Sequence, residues 1–148
     1  MSTFTQILYQ IVFGTKYRQG TLAEGNRDEL YRYMAGVLKN KKCHVYRING
    51  VKDHVHIVTH LNPTVALSDL VKDIKLSTTD LIRKTRLFPS FNGWQEGYGA
   101  FTYSIKEKDR LIEYVKNQQE HHRIKTFKEE LIGLLREHGV EFGEQYLL

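Results

Sequence analysis

Two histidines stand one residue apart in Asp53-His54-Val55-His56-Ile57-Val58, a run rich in β-branched residues. Successive side chains of a strand point to opposite faces, so His54 and His56 share one face while Val55 and Ile57 share the other. Neutral imidazole is the commonest protein metal ligand, and strand geometry limits how far two such rings can drift. The pair can therefore hold one ion while the valine and isoleucine anchor the strand in a core. Histidines at this spacing also occur as structural or surface residues, so the rest of the chain has to weigh in. Tyr114 and Gln118, four apart in a helical pattern, present a phenol and a neutral carbonyl oxygen on one helix face. Read as structure alone, Tyr114 is a half-buried aromatic and Gln118 a rim residue. The other candidates are set aside. Asp53 alternates onto the face opposite the histidines, and His60 sits too far along the strand to join them. His121 and His122 could compete as ligands but read as packing or phosphate-contacting residues.

These groups must be carried by elements, and the pattern supplies them. Residues 3–13 read as a central strand, apolar on both faces except for Gln6 and Gln10. A loop follows with Lys16, Tyr17 and Arg18, an aromatic between two cations that can stack on a base or simply lie exposed. Asn26-Arg27-Asp28-Glu29 has capping-box spacing and opens a helix to about residue 41. A strand at 43–48, a turn at Asn49-Gly50 and the histidine strand at 54–61 predict an antiparallel hairpin. A second helix starts near Leu67, with Lys72, Lys75, Arg83 and Lys84 off its apolar stripe; such a basic face is solvated or lines a phosphate track. After a loop holding Trp94, read as a core anchor, come a short strand at 100–103, a helix from Ser104 to about His122, and a last helix from Thr126 closed by Gly139. The order predicts an α+β, ferredoxin-like (split βαβ) antiparallel sheet with helices on one face, plus a C-terminal helical extension.

The 148 residues predict one domain, with a core over 1–125 and an acidic extension over 126–148. Residues 1–128 carry 21 Lys/Arg against 12 Asp/Glu, a net +9, whereas residues 129–148 carry one Arg and five Glu, a net −4. A basic body suits a polyanion such as nucleic acid, or is only a solvated surface; the acidic end is expected to fold back on the body or on a partner subunit, away from phosphates. Apolar runs are too short for a membrane span, and the N-terminal residues lack the pattern of a targeting peptide. A single cysteine, Cys43, fits a reducing cytoplasm and excludes a cysteine-rich zinc site.

Taken together, the motifs resemble those of the small single-tyrosine HUH transposases of bacterial insertion sequences. The likeness runs through nearly the whole chain. It includes Thr15-Lys16-Tyr17-Arg18, Asp53-His54-Val55-His56-Ile57, Asn62-Pro63-Thr64, the Lys72 to Lys75 helix, Trp94-Gln95-Glu96-Gly97-Tyr98 and Tyr114-Val115-Lys116-Asn117-Gln118. The resemblance implies an enzyme that cuts and rejoins single-stranded DNA at the ends of a mobile element through a 5′-phosphotyrosine. Tyr114 would be the nucleophile, and His54, His56 and Gln118 would bind Mg²⁺ or Mn²⁺. DNA hairpins would be the partner, and a homodimer could share its active sites between subunits. The cytoplasm, on the nucleoid, would be the place of action. Lys16, Arg18, Lys75 and Arg83 are candidate DNA contacts from charge and position. Two rivals stand beside this reading: a non-catalytic or domesticated hairpin-binding protein of the same fold, and a replication-type nickase, whose chains are usually longer.

Overall fold

A computed structural model describes residues 2–147. The elements run β1 (Leu8–Gly14), α1 (Arg27–Asn40), β2 (His44–Gly50), β3 (His54–His60), α2 (Leu67–Thr85), β4 (Gly99–Tyr103), α3 (Lys108–Lys116), α4 (Gln118–His121) and α5 (Phe127–Glu137). The four strands pair antiparallel in the order β2-β3-β1-β4. This is the ferredoxin-like arrangement expected from the sequence, with β3 inserted between β1 and β2.

Alternation along β3 divides the molecule. Val55 and Ile57, with Ile11 and Phe13 of β1, pack under Leu30, Met34 and Leu38 of α1 and Leu70, Val71 and Ile74 of α2. Trp94 closes that core as expected. Its indole nitrogen donates to Thr78 Oγ1 at 2.9 Å, and its ring meets Phe13 edge-on at 5.0 Å. The opposite face carries His54, His56, Val58, Leu8, Gln10 and Val12, covered by α3, α4 and α5. Helices therefore cover both faces, the C-terminal ones over the histidines.

Several local expectations shift, each for a physical reason. The first strand starts five residues late, at Leu8. Asn26 occupies the N-cap of α1 but makes no side-chain capping bond; its amide nitrogen donates to the Leu87 carbonyl at 2.9 Å and ties the helix start to the loop after α2. Asn49 is not in the hairpin turn; it pairs with His56 inside the ladder, and residues 51–53 make the connection. Its amide donates to the carbonyls of Val115 and Lys116 at 3.1 and 2.9 Å. A continuous helix would offer those carbonyls to the N–H groups four residues on. The helix expected from Ser104 to His122 is accordingly broken at Asn117 (φ −96°, ψ 26°), and Gln118 begins a separate turn. Ser104 and Thr126 do form the expected capping boxes, and Gly139 closes the last helix at φ +66°.

One glycine is required by crowding. Gly14 lies opposite His54 in the ladder, and a methyl group there would meet Gln95 Oε1 at 2.6 Å and the Phe127 ring at 2.8 Å. That space lets Phe127 stack flat on His54, with ring centroids 4.1 Å apart and planes 5° from parallel.

Candidate active site

The two imidazoles are fully buried, and each is oriented from behind. His54 Nδ1 faces Asp53 Oδ1 at 2.7 Å, and His56 Nδ1 faces Gln10 Oε1 at 2.7 Å. Gln10 in turn donates its amide to the Tyr103 hydroxyl at 2.7 Å. Asp53 thus escapes strand alternation, because it precedes the first residue of β3, and it holds a histidine without joining the pair. An acceptor on each Nδ1 keeps the proton there and turns both Nε2 atoms inward, the arrangement typical of metal-binding histidines.

The inward nitrogens converge on Glu130 of α5. Its Oε1 lies 3.2 Å from His54 Nε2, 2.9 Å from His56 Nε2 and 3.0 Å from His122 Nε2. Its Oε2 accepts from the Tyr114 hydroxyl and from Gln118 Nε2, the latter at 3.1 Å. Gln118 Oε1 points to the same centre, 3.1 Å from His122 Nε2 and 3.4 Å from His54 Nε2. The potential ligand atoms of His54, His56, His122 and Glu130 all lie within 4.8 Å of one another. Three imidazoles and a carboxylate form a donor set suited to a divalent transition ion.

Electrostatics follow from this packing. Burial would raise the Glu130 carboxyl, but hydrogen bonds from His122, His54 and His56 outweigh it and hold the group far below the usual carboxylate range. Burial would lower His54, yet the Asp53 and Glu130 carboxylates raise it above its ordinary value. His56 has no carboxylate behind it and is lowered by burial, offset only in part by Glu130. Burial, then the charge of Glu130, push the Tyr114 phenol well above its ordinary value.

Four predicted residues, His54, His56, Tyr114 and Gln118, come together within one chain. His121 packs its ring on Tyr114 at 4.6 Å, as expected, but His122 joins the cluster. Among the basic candidates, Arg18 lines a groove of about 700 Å³ beside the cluster, with Arg27, Lys52, Arg123 and Lys125. Lys16 is exposed in the neighbouring turn, next to the exposed Tyr17. Lys75 and Arg83 belong to α2, across the sheet from the histidines. Lys75 donates to the carbonyls of Gln95 and Gly97 at 2.8 and 2.6 Å, and Arg83 is exposed.

Sequence reasoning missed Glu130 and Gln10, and it set aside His122, which could compete as a ligand, as a packing or phosphate-contacting residue. A signal existed for the first two. Glu130 interrupts the apolar stripe Phe127, Leu131, Leu134 and Leu135 on the buried side of α5, and Gln10 interrupts the apolar first strand. A polar residue on a buried face needs a partner. His122 had no such signal, because the break at Asn117 changes which way it faces.

Known proteins share the sequence pattern and the fold. Residues 3–118 match the family described as IS200-like transposase. The ISDra2 transposase TnpA of Deinococcus radiodurans is 22% identical over 125 residues, covering 78% of this chain and 86% of that protein. Two solved structures share the fold with a TM-score of 0.62 each. One, assigned as a transposase from the same organism, is 20% identical and matched over 80% of this chain and 95% of its own. The other, a REP-associated tyrosine transposase bound to a REP hairpin, is 15% identical and matched over 82% and 74%.

Proposed function

This chain belongs to the IS200-like transposase family, and from that premise we propose that it cuts and rejoins single-stranded DNA through a covalent 5′-phosphotyrosine on Tyr114, with a divalent ion, Mg²⁺ or Mn²⁺. The observation that carries the reading is the convergence of the Tyr114 hydroxyl with His54, His56 and Gln118 in one buried cluster. Neither a plain hairpin-binding module nor a water-using nuclease has need of a tyrosine there.

In this reading the Tyr114 oxygen attacks the scissile phosphorus, the bond from phosphorus to the 3′ oxygen breaks, and that oxygen leaves as a 3′ hydroxyl. Rejoining is the reverse, with a new 3′ hydroxyl attacking the phosphotyrosine, so the bond energy is conserved. His54, His56 and Gln118 Oε1 would hold the ion, which supplies Lewis acidity at the phosphate and positive charge that favours the phenolate. Asp53 and Gln10 keep the imidazoles turned inward, and Glu130 Oε2 is the acceptor that holds the phenolic proton. A cavity of about 320 Å³ beside Tyr114, Glu130, Arg110 and Lys125 offers the phosphate a way in. The basic groove at Arg18, Arg27, Lys52 and Arg123 supports a phosphate track, with Lys16 at its margin; Lys75 and Arg83 are proposed only for DNA that wraps to the far layer. In this reading residues 1–148 act as one domain, in the cytoplasm, on hairpins at element ends.

The test is a cleavage assay on labelled single-stranded hairpin DNA from the gene's flanks, with Mn²⁺. A covalent protein–DNA band is expected in wild type and lost both with EDTA and in Tyr114→Phe; cleavage surviving in Tyr114→Phe would mean water is the nucleophile. A homodimer is tested by size exclusion, and sharing of sites between its subunits by mixing Tyr114→Phe with His56→Ala in the same assay. With Tyr114 serving the histidines of its own chain, the mixture is expected to stay inactive, and a restored band would mean that subunits exchange tyrosines.

A further inference from the structure

Glu130 lies outside the matched family region, which ends at residue 118, yet it occupies the centre of the site. We propose that Glu130 is itself a ligand of the divalent ion, contributed by the C-terminal helix, so that the chain binds metal through two imidazoles and a carboxylate together with Gln118. The inference rests on the metal site of the proposed function and adds a residue to it.

Crowding at one oxygen points to the ion. Asp53 and Gln10 each face an Nδ1 atom and turn both Nε2 atoms inward. The Nε2 atoms of His54, His56 and His122 stand 3.2, 2.9 and 3.0 Å from Glu130 Oε1, and Gln118 Oε1 faces the same space. One carboxylate oxygen has about two lone-pair sites, too few to accept from three ring nitrogens with good geometry. Neighbouring ligands of a six-coordinate ion at about 2.1 Å stand about 3.0 Å apart, the spacing found here. A cation among these atoms, of which those of the three histidines and Glu130 lie within 4.8 Å of one another, satisfies them at once.

The position of Glu130 is built, not incidental. The carboxylate is 5% exposed, and burying it without a counter-charge is costly. Thr126 and Glu129 fix the first turn of α5 through a capping box, and Phe127 is stacked on His54. The second oxygen holds the Tyr114 hydroxyl and Gln118 Nε2, so one carboxylate ties nucleophile and ion together.

The experiment is a Mn²⁺ titration of the chelator-stripped full chain without DNA, read by the electron spin resonance signal of free Mn²⁺. It compares wild type with Glu130→Gln, His56→Ala and Glu141→Gln, an exposed control. Glu130→Gln is expected to bind Mn²⁺ about 10- to 100-fold more weakly, as His56→Ala does, with Glu141→Gln unchanged. Binding by Glu130→Gln within about twofold of wild type, or tighter, overturns the proposal and makes the carboxylate a placeholder that withdraws when the ion enters. If Glu130→Gln does not fold by circular dichroism, Glu130→Asp takes its place. It keeps the charge but draws the oxygen back by one methylene, and affinity equal to wild type would again overturn the inference. Failure here with a Tyr114-dependent covalent band intact sinks only the role of Glu130. Absence of Mn²⁺ binding in wild type sinks the metal site as well.

Discussion

The two faces of the sheet are built from the same four strands and do different work. Toward α1 and α2, β3 presents Val55 and Ile57 to a continuous apolar core closed by Trp94. Toward α3, α4 and α5 it presents His54 and His56, and the apolar contacts there split into two clusters. Leu8, Val58, Leu111 and Val115 lie on one side, and Val12, Phe101, Phe127, Leu134 and Leu135 on the other. Between them Gln10, His54, His56, Gln118 and Glu130 are all buried. Burying polar groups costs free energy unless every one is partnered, whereas apolar burial stabilises by roughly 25 cal/mol per Å². One face therefore holds the fold, and the other gives up part of its packing to place charges out of water, where they act more strongly.

Substitutions that hit one face alone sharpen this contrast. The largest effect is expected from His56→Ala, which should lower covalent-adduct formation at least roughly 10³-fold, because residues of one catalytic unit fail together. Its melting curve should move far less than that of a core variant; a global loss of structure would mean that the histidine face also carries the fold. Trp94→Ala should do the opposite, costing about 3–5 kcal/mol of stability in a urea titration. Mn²⁺ affinity at low temperature should stay near wild type, and a matching loss of metal binding would break the division between the faces. Asn49→Ala is expected to be the mildest, at about 1–3 kcal/mol, for two helix carbonyls left without their donor. Because Asn49 ends α3, this variant should also lose activity through the placement of Gln118. Full activity would mean that the break at Asn117 forms without it.

Legibility in the sequence followed the same division. The apolar face was readable from periodicity, since strand alternation and the helical stripes of α1 and α2 are local patterns that burial simply reinforces. His54, His56, Tyr114 and Gln118 were readable as candidates from residue type and spacing. Their assembly was not. Tyr114 and Gln118 look like neighbours on one helix, but the Asn49 amide ends that helix between them. Asp53 looks opposed to the histidines until the start of β3 leaves it outside the alternation. Glu130 sits in a segment whose acidic composition reads as an end folded back on the body or on a partner subunit, away from phosphates.

The sequence by itself determined the strand and helix order, the antiparallel hairpin and the chemistry-bearing residue types, because those depend on backbone periodicity and on which side chains carry donors. Only the tertiary structure decided that α5 folds over the histidine face and drives Glu130 between three imidazoles, the tyrosine and the glutamine. That contact joins residues 54, 56, 114, 118, 122 and 130. It depends on the space left by Gly14 and on the stacking of Phe127 on His54, relations between distant segments that local spacing does not record.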